Sequence, residues 1–155
     1  MSTDKQSERT FMMIKPDGVQ RGLVGNIITR FENKGYKMVG CKMMDVPLEH
    51  CQKHYEEHKD RPFFNKLVNY VCSGPVIATV WEGTQSIKGS RDIIGATNPS
   101  EAAPGTIRGD SAMEIGRNLV HGSDSKEAAA KEISHWFKDE EISNWTHHSK
   151  EWLFE

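Results

Sequence analysis

The chain has 155 residues, of which 36% are hydrophobic, and its 20 basic and 22 acidic side chains give a formal net charge of −2. This length and composition predict one globular domain with a core large enough to fold without disulfides. The charge balance excludes the strongly basic surface of a dedicated nucleic-acid-binding protein, so any anion-binding site must be local.

The cysteines and the apolar segments indicate in which cellular compartment the protein is expected. Cys41, Cys51 and Cys72 are odd in number and form no CxxC pair, which argues against a disulfide framework or a structural zinc cluster. Residues 1–9 lack the apolar run of a signal peptide, and no stretch reaches the roughly 18 apolar residues of a membrane span. We therefore expect a cytoplasmic protein without a membrane segment. Residues 1–9 are expected to form a disordered N-terminal tail, and residues 10–155 one domain.

Strands and helices alternate along the sequence. Short apolar runs between turn residues predict strands, and apolar residues spaced three and four apart predict helices. The expected elements, in chain order, are a strand at 10–14, a helix at 24–34, a strand at 36–44, a helix at 47–59, a helix beginning at 64, a strand at 76–81, a short helix at 85–94, a strand at 118–121 and a helix after 125. This alternation predicts an α/β sandwich.

Two connecting segments carry further predictions. Residues 83–116 contain many glycines and prolines, so apart from the short helix they are expected to form an ordered loop. A loop of this length inside a compact domain is usually functional. Asp124 and Glu127 have the spacing of a capping box for the last predicted helix.

His121 is the first candidate for chemistry. It ends a short apolar strand, and Gly122 would let the backbone turn tightly beside the imidazole. Glu132, on the following helix, could hold one imidazole nitrogen while the other nitrogen faces a substrate, as for an activated nucleophile. A structural histidine and an ordinary solvated glutamate remain the alternatives.

Three cations form a candidate anion site. Lys15 follows the first strand, and Arg91 and Arg108 lie in turn-rich segments. Several such donors are needed to hold a triphosphate, although each one alone could belong to a surface ion pair. The sequence has neither a Walker motif nor a GxGxxG loop, so side chains would have to hold the phosphates.

One aromatic residue and a run of histidines could bind other ligands. Phe63 lies off the helical stripe that begins at Phe64, and its ring could stack on a nucleobase or pack in the core. His50, His54 and His58 recur every four residues, but no CxxC or HExxH motif accompanies them. No metal site made of protein side chains is therefore predicted.

The segments around these residues resemble the nucleoside diphosphate kinase family. Residues 118–125, which contain His121, are similar to the motif around the family's active histidine, and residues 14–22, which contain Lys15, resemble its N-terminal motif. Other similar segments follow the family's order at 59–64, 73–75, 80–83, 97–99 and 104–110. The resemblance extends from Thr10 to Glu155.

The resemblance implies both a fold and a reaction. The expected fold is a ferredoxin-like α/β (α+β) sandwich, in which helices cover a four-stranded antiparallel sheet. The expected reaction moves the terminal phosphoryl group of a nucleoside triphosphate to a nucleoside diphosphate by a ping-pong mechanism, through a phosphohistidine on His121. Mg²⁺ would arrive on the nucleotide phosphates. The C-terminal residues 152–155 resemble those of hexameric members, so a homohexamer is favoured, with a tetramer or dimer left open.

The resemblance also assigns the site residues. Glu132 would hold the other imidazole nitrogen, Ser123 would bond to that glutamate, and Tyr55 and Lys15 would contact the phosphoryl group in transit. The remaining side chains would bind the nucleotide: the terminal phosphates at Arg91, Thr97 and Arg108, the sugar at Lys15 and Asn118, and the base between Phe63 and Ile115.

Two alternatives belong to other classes of protein. A regulatory protein with this fold could bind single-stranded nucleic acid or a protein partner, which the net charge of −2 does not favour and which is not predicted. An inactive scaffold is disfavoured because every motif residue is retained.

Overall fold

One antiparallel sheet forms the centre of the fold in a computed structural model that describes residues 5–155. Its strands are Arg9–Ile14 (β1), Lys37–Met44 (β2), Val76–Glu82 (β3) and Val120–Gly122 (β4). They lie in the order β2-β3-β1-β4, and every pairing is antiparallel. The ferredoxin-like sandwich that the sequence predicts is therefore confirmed.

Helices cover both faces of this sheet. They are Pro16–Gln20 (α1), Val24–Lys34 (α2), Leu48–His54 (α3), Phe64–Val71 (α4), Ser86–Ile94 (α5), Ile107–Ser111 (α6), Lys126–Trp136 (α7) and Lys150–Leu153 (α8). Residues of α3, α4 and α7 contribute to the core on one face, and residues of α2, α5 and α6 to the core on the other. None of the helices within residues 5–155 is long and apolar enough to cross a bilayer.

The alternation of side chains along β1 explains why there are two cores. Phe11 and Met13 belong to the core beneath α7, while Met12 and Ile14 belong to the opposite core, and all four side chains are fully buried. Successive strand residues point to opposite faces of a sheet, so an apolar strand covered on both sides must read as a continuous apolar run. β1 therefore anchors both layers, and the residues that follow it are held firmly.

Some elements differ from the sequence prediction. α3 ends at His54, and a 3-10 turn follows, because the charged residues 56–60 offer no apolar stripe to extend the helix. α6 lies inside the predicted loop and is capped by Thr106, whose hydroxyl accepts a hydrogen bond from Gly109 at 2.9 Å. β4 begins at Val120, since Leu119 has a left-handed φ of 72° that cannot continue a strand.

The predicted N-terminal tail falls partly outside the described residues, which exclude 1–4. Arg9 already belongs to β1, one residue before the predicted start. The carbonyl oxygen of Glu8 accepts hydrogen bonds from the Gly83 nitrogen at 3.0 Å and the Ser86 hydroxyl at 2.7 Å. The boundary of the domain stays a prediction.

The helix that follows β4 is capped differently from the sequence prediction. The hydroxyl of Ser125 accepts a hydrogen bond from the Ala128 nitrogen at 3.0 Å, so Ser125 is the N-cap of α7. The capping box predicted for Asp124 and Glu127 is therefore wrong by one position. Serine and aspartate are about equally good N-cap residues, and here they are adjacent, at Asp124 and Ser125.

This cap gives a test of the local structure. Ser125→Ala removes the acceptor for the Ala128 nitrogen and should lower the free energy of unfolding by about 1 kcal/mol. Asp124→Ala, the matched control, should change it by less than about 0.5 kcal/mol. Urea unfolding at one fixed protein concentration measures both values. Equal losses for the two variants would show that Ser125 is not the cap.

Candidate active site

His121 is held by a carboxylate on the neighbouring helix. Its Nε2 lies 2.5 Å from Oε2 of Glu132 in α7, and the Ser123 hydroxyl donates to Oε1 of the same carboxylate at 2.5 Å. The imidazole is 24% exposed and the carboxylate 13%. Nδ1 makes no hydrogen bond within residues 5–155. Glu132 thus occupies one ring nitrogen and leaves the other available as a nucleophile.

The sheet fixes the position of this group. His121 pairs with Met13 across the β4–β1 ladder, and the Ser123 nitrogen donates to the Phe11 carbonyl at 3.1 Å. Gly122 lies in the strand itself, where a Cβ would come within 2.7 Å of the Ile94 side chain. Gly122 therefore allows α5 to approach β4 closely, and it does not form the tight turn expected from the sequence.

Leu119 connects the two sides of the site through an unusual backbone conformation. The Lys15 nitrogen donates to its carbonyl oxygen at 2.8 Å, and its own nitrogen donates to Oδ2 of Asp17 at 3.1 Å. Both bonds tie residue 119 to the end of β1. A left-handed leucine costs roughly 1–2 kcal/mol, so the fold must hold it in place. The result brings Asn118 beside Lys15.

Lys15 is a buried cation. Its ammonium donates to Oδ1 of Asn118 at 2.6 Å, and the Asn118 amide in turn donates to the Thr97 carbonyl at 3.0 Å. Burial, followed by the nearby Arg108 guanidinium, lowers the pKa of Lys15 to about 8. A buried ammonium with so few partners attracts an anion strongly.

Arg108 is also buried, and it binds the backbone on both sides of Leu119. Its guanidinium donates to the carbonyls of Asn118 at 3.1 Å and Val120 at 2.6 Å, and to that of Gly95 at 3.2 Å. Burial, with a contribution from Arg91, lowers its pKa to about 10. Arg91 is exposed and points a guanidinium nitrogen at the Gly122 carbonyl, 3.5 Å away.

These side chains line one cleft of about 630 Å³. All seven residues that the sequence assigned to nucleotide binding border it: Lys15, Phe63, Arg91, Thr97, Arg108, Ile115 and Asn118. His121 and Tyr55 border it too, and the buried Tyr55 hydroxyl has no hydrogen-bond partner among residues 5–155. Phe63 and Ile115 are 48% and 60% exposed, so neither ring nor alkyl chain is committed to the core. Glu132 and Ser123 do not border the cleft, and they contact it only indirectly, through their hydrogen-bonded link to His121.

A metal ion would find few ligands in this cleft. Asp124 is the one carboxylate among the described residues that border it. Mg²⁺ prefers several oxygen ligands and loses its bound water reluctantly. These cleft residues therefore do not form a cage of side chains for it. Behind His121, the atoms of His54, His121 and Glu132 that could bind a metal lie within 4.8 Å of one another.

The sequence missed several residues of this site. His54 was weighed only as a metal ligand in line with His50 and His58, yet the end of α3 separates His58 from that helix. Asp17 gave no signal of its role, because its bond to the Leu119 nitrogen depends on a backbone conformation that propensities do not reveal. Only the family-like motif at residues 14–22, which contains Asp17, could have indicated this residue.

Together the sandwich, the carboxylate-held histidine and the cationic cleft define a phosphotransferase class of protein. The sequence model of the family described as nucleoside diphosphate kinase matches residues 8–142. The chain belongs to the nucleoside diphosphate kinase family. It is 59% identical over 148 residues to a nucleoside diphosphate kinase of Trichormus variabilis, covering 96% of this chain and 99% of that protein. One of Neurospora crassa is 57% identical over 148 residues, covering 96% and 97%.

Solved structures give the same result. The structure of a halophilic nucleoside diphosphate kinase from Halobacterium salinarum in complex with CDP superposes with a TM-score of 0.94 at 50% identity, covering 96% of this chain and 99% of that one. A nucleoside diphosphate kinase family protein from Babesia bovis gives a TM-score of 0.93 at 45% identity, covering 95% and 99%. The chain is therefore similar to these enzymes along nearly its whole length.

Proposed function

We propose that this nucleoside diphosphate kinase works by a ping-pong mechanism through a phosphohistidine on His121. In the first step the bond from the γ-phosphorus to the β,γ-bridging oxygen breaks, a bond from phosphorus to Nδ1 of His121 forms, and the diphosphate leaves with the electron pair. A second diphosphate then attacks the same phosphorus and regenerates the imidazole. One site serves donor and acceptor in turn.

The observation that carries this proposal is the convergence of the predicted residues on one cleft beside His121. Transfer of a phosphoryl group depends mainly on positioning and on stabilising negative charge. Lys15 and Arg108 supply buried positive charge, and Glu132 fixes the imidazole through a 2.5 Å contact. No such arrangement is needed for a structural histidine.

Each side chain has a proposed task. Glu132 and Ser123 orient His121, while Lys15 and the unpartnered Tyr55 hydroxyl contact the phosphoryl group in transit. The nucleotide is bound by the other residues of the cleft: its terminal phosphates by Arg91, Thr97 and Arg108, its sugar by Lys15 and Asn118, and its base by Phe63 and Ile115. A stacked base is recognised by its flat face, so base discrimination is weak.

We also propose that Mg²⁺ enters with the nucleotide. Among residues 5–155 the only carboxylate that borders the cleft is Asp124, which fits an ion bound mainly by phosphate oxygens better than a resident protein site. When bound, Mg²⁺ neutralises part of the phosphate charge. Lys15, Arg91 and Arg108 would share that task from the protein side.

Two further expectations, the assembly and the location, rest on the sequence. A homohexamer is favoured by the resemblance of the C-terminal residues 152–155, and Trp152 is 88% exposed on the single chain. We propose a cytoplasmic location from cysteine usage, which favours a reducing compartment. The three cysteines are unpaired in the structure.

Intact mass after brief incubation with ATP and Mg²⁺ tests the proposed function. The wild type should gain one phosphoryl group and lose it again on addition of GDP, with formation of GTP. His121→Gln should gain none, because it has no nucleophilic ring nitrogen. An adduct that persists in His121→Gln, or a wild type that binds ATP without forming one, would contradict the phosphohistidine.

The lowered pKa of Lys15 predicts a proton uptake on binding. In the free protein its pKa of about 8 leaves Lys15 mostly neutral at pH 9. A bound diphosphate favours the charged form, so ADP binding at pH 9 should take up most of one proton, and at pH 6.5 almost none from this group. Calorimetry in two buffers of different ionisation enthalpy measures the uptake.

Two variants make this measurement specific. Lys15→Met should abolish the uptake at pH 9, because no ammonium remains to be recharged. Lys66→Met is the matched control, since Lys66 also borders the cleft but is exposed, and it should leave the uptake unchanged. An uptake that survives in Lys15→Met would assign the proton to another group.

A further inference from the structure

His54 lies beside the nucleophile and borders a second cavity of about 450 Å³, which His121 and Glu132 also line. Its side chain is 1% exposed. Its ring meets the His121 ring edge to face, with centroids 4.6 Å apart and planes at 80°, and it meets Tyr55 in the same way at 4.5 Å and 87°. His54 does not border the 630 Å³ cleft, so it cannot touch a nucleotide bound there.

A hydrogen bond from Trp136 fixes the tautomer of His54. Nε1 of the indole lies 2.9 Å from Nδ1 of His54. An indole nitrogen only donates, so Nδ1 must carry a lone pair and the proton of the neutral ring must be on Nε2. The ring is neutral because burial, and then the neighbouring histidines His121, His135 and His50, lower its pKa to about 2. Nε2 of His54 is therefore an N–H donor.

This donor faces the carboxylate that holds the nucleophile. Nε2 of His54 lies 3.7 Å from Oε2 of Glu132, the same oxygen that contacts Nε2 of His121. It is buried, and it has no hydrogen-bond partner among residues 5–155. An unpaired buried donor costs about 1–3 kcal/mol, and a movement of less than about 1 Å would complete its bond to Glu132.

The same atoms could instead suggest a metal site, since two imidazoles and one carboxylate are typical zinc ligands. The tautomer of His54 argues against this. A histidine that binds a metal through one nitrogen keeps the proton on the other nitrogen and donates it. Nδ1 of His54 accepts from Trp136, so its Nε2 has no lone pair to offer unless that bond breaks.

We propose that His54 is a positioning residue, whose Nε2–H group supports the ionised carboxylate of Glu132 and thereby keeps the proton of His121 on Nε2. Nδ1 of His121 then retains its lone pair for attack on phosphorus. His54 exchanges no proton and touches no substrate in this scheme. The effect on rate rests on the proposed phosphohistidine function, whereas the effect on the His121 tautomer does not.

Two substitutions separate the two nitrogens of His54. His54→Gln places an amide nitrogen near the position of Nε2 and can still donate to Glu132. His54→Asn places its amide near the position of Nδ1, so it can still accept from Trp136 but cannot reach Glu132. Both replacements are polar and smaller than or similar to imidazole. Thermal unfolding of each variant shows whether it is folded.

The test has two readouts. ¹⁵N-histidine NMR without nucleotide should show His121 mainly as the Nε2–H tautomer in the wild type and in His54→Gln, and as a tautomer mixture in His54→Asn. Single-turnover phosphorylation by ATP should slow roughly 10-fold to 100-fold in His54→Asn, and by less than about 3-fold in His54→Gln. Trp136→Phe, which releases Nδ1 of His54, should also mix the His121 tautomers.

Other results would overturn the proposal. Equal loss of rate in the Gln and Asn variants, with the His121 tautomer unchanged in both, would give His54 a packing role only. Stoichiometric binding of Zn²⁺ by the wild type that both variants lose would make the cluster a metal site. A wild type that forms no phosphohistidine would remove the proposed function, while the tautomer readout would still decide the role of His54.

Discussion

The left-handed turn at Leu119 is the constraint on which the site depends. Leu119 lies beside the end of β1 with a φ of 72°, where the Lys15 nitrogen and the Asp17 carboxylate hold the two backbone polar groups of residue 119. Arg108 holds the carbonyls immediately before and after it. Asn118 consequently lies beside Lys15, whereas His121 enters the sheet opposite β1. The backbone thus sets the distance between the cations and the nucleophile before any ligand binds.

The burial of charge explains how such a site can grip an anion. Lys15 and Arg108 are 7% and 5% exposed, and neutral carbonyl or amide oxygens are their hydrogen-bond partners. Dipoles satisfy the donors without cancelling the charge, so the field reaches the cleft. Burial, followed by a neighbouring arginine, lowers the pKa of both groups. Burying these two charges lowers the stability of the free protein, and a bound phosphate restores part of that stability. Next to His121, Trp136 donates to Nδ1 of the neutral His54, whose Nε2 lies 3.7 Å from the Glu132 carboxylate.

The sequence was sufficient for the fold, and the predicted nucleotide-binding residues lie around one cleft, for physical reasons that individual elements illustrate. β1 and α2 have strong apolar patterns and clear ends, the latter at Gly35 with φ of 98°, so local sequence determines them. α6 escaped prediction because it is short and lies among glycines and prolines, although Thr106 caps it locally. The left-handed Leu119 escaped prediction because its bonds to Lys15 and Asp17, far away in the sequence, hold it against local preference. The contact of His54 with Glu132 joins α3 to α7, and no pattern within either helix reveals it. The roles of the cleft residues came from family resemblance, since spacing alone left each cation open to a surface ion pair.

Glu132 contacts Nε2 of His121, and we propose that this leaves Nδ1 to receive the phosphoryl group. NMR of ¹⁵N-histidine-labelled protein, recorded at alkaline pH directly after reaction with ATP and Mg²⁺, identifies the phosphorylated atom by its coupling to ³¹P. We predict a phosphorus bond to Nδ1 of His121, with Nε2 still protonated. A phosphorus bond to Nε2, or a phosphoryl group on Ser123 or another side chain, would contradict it.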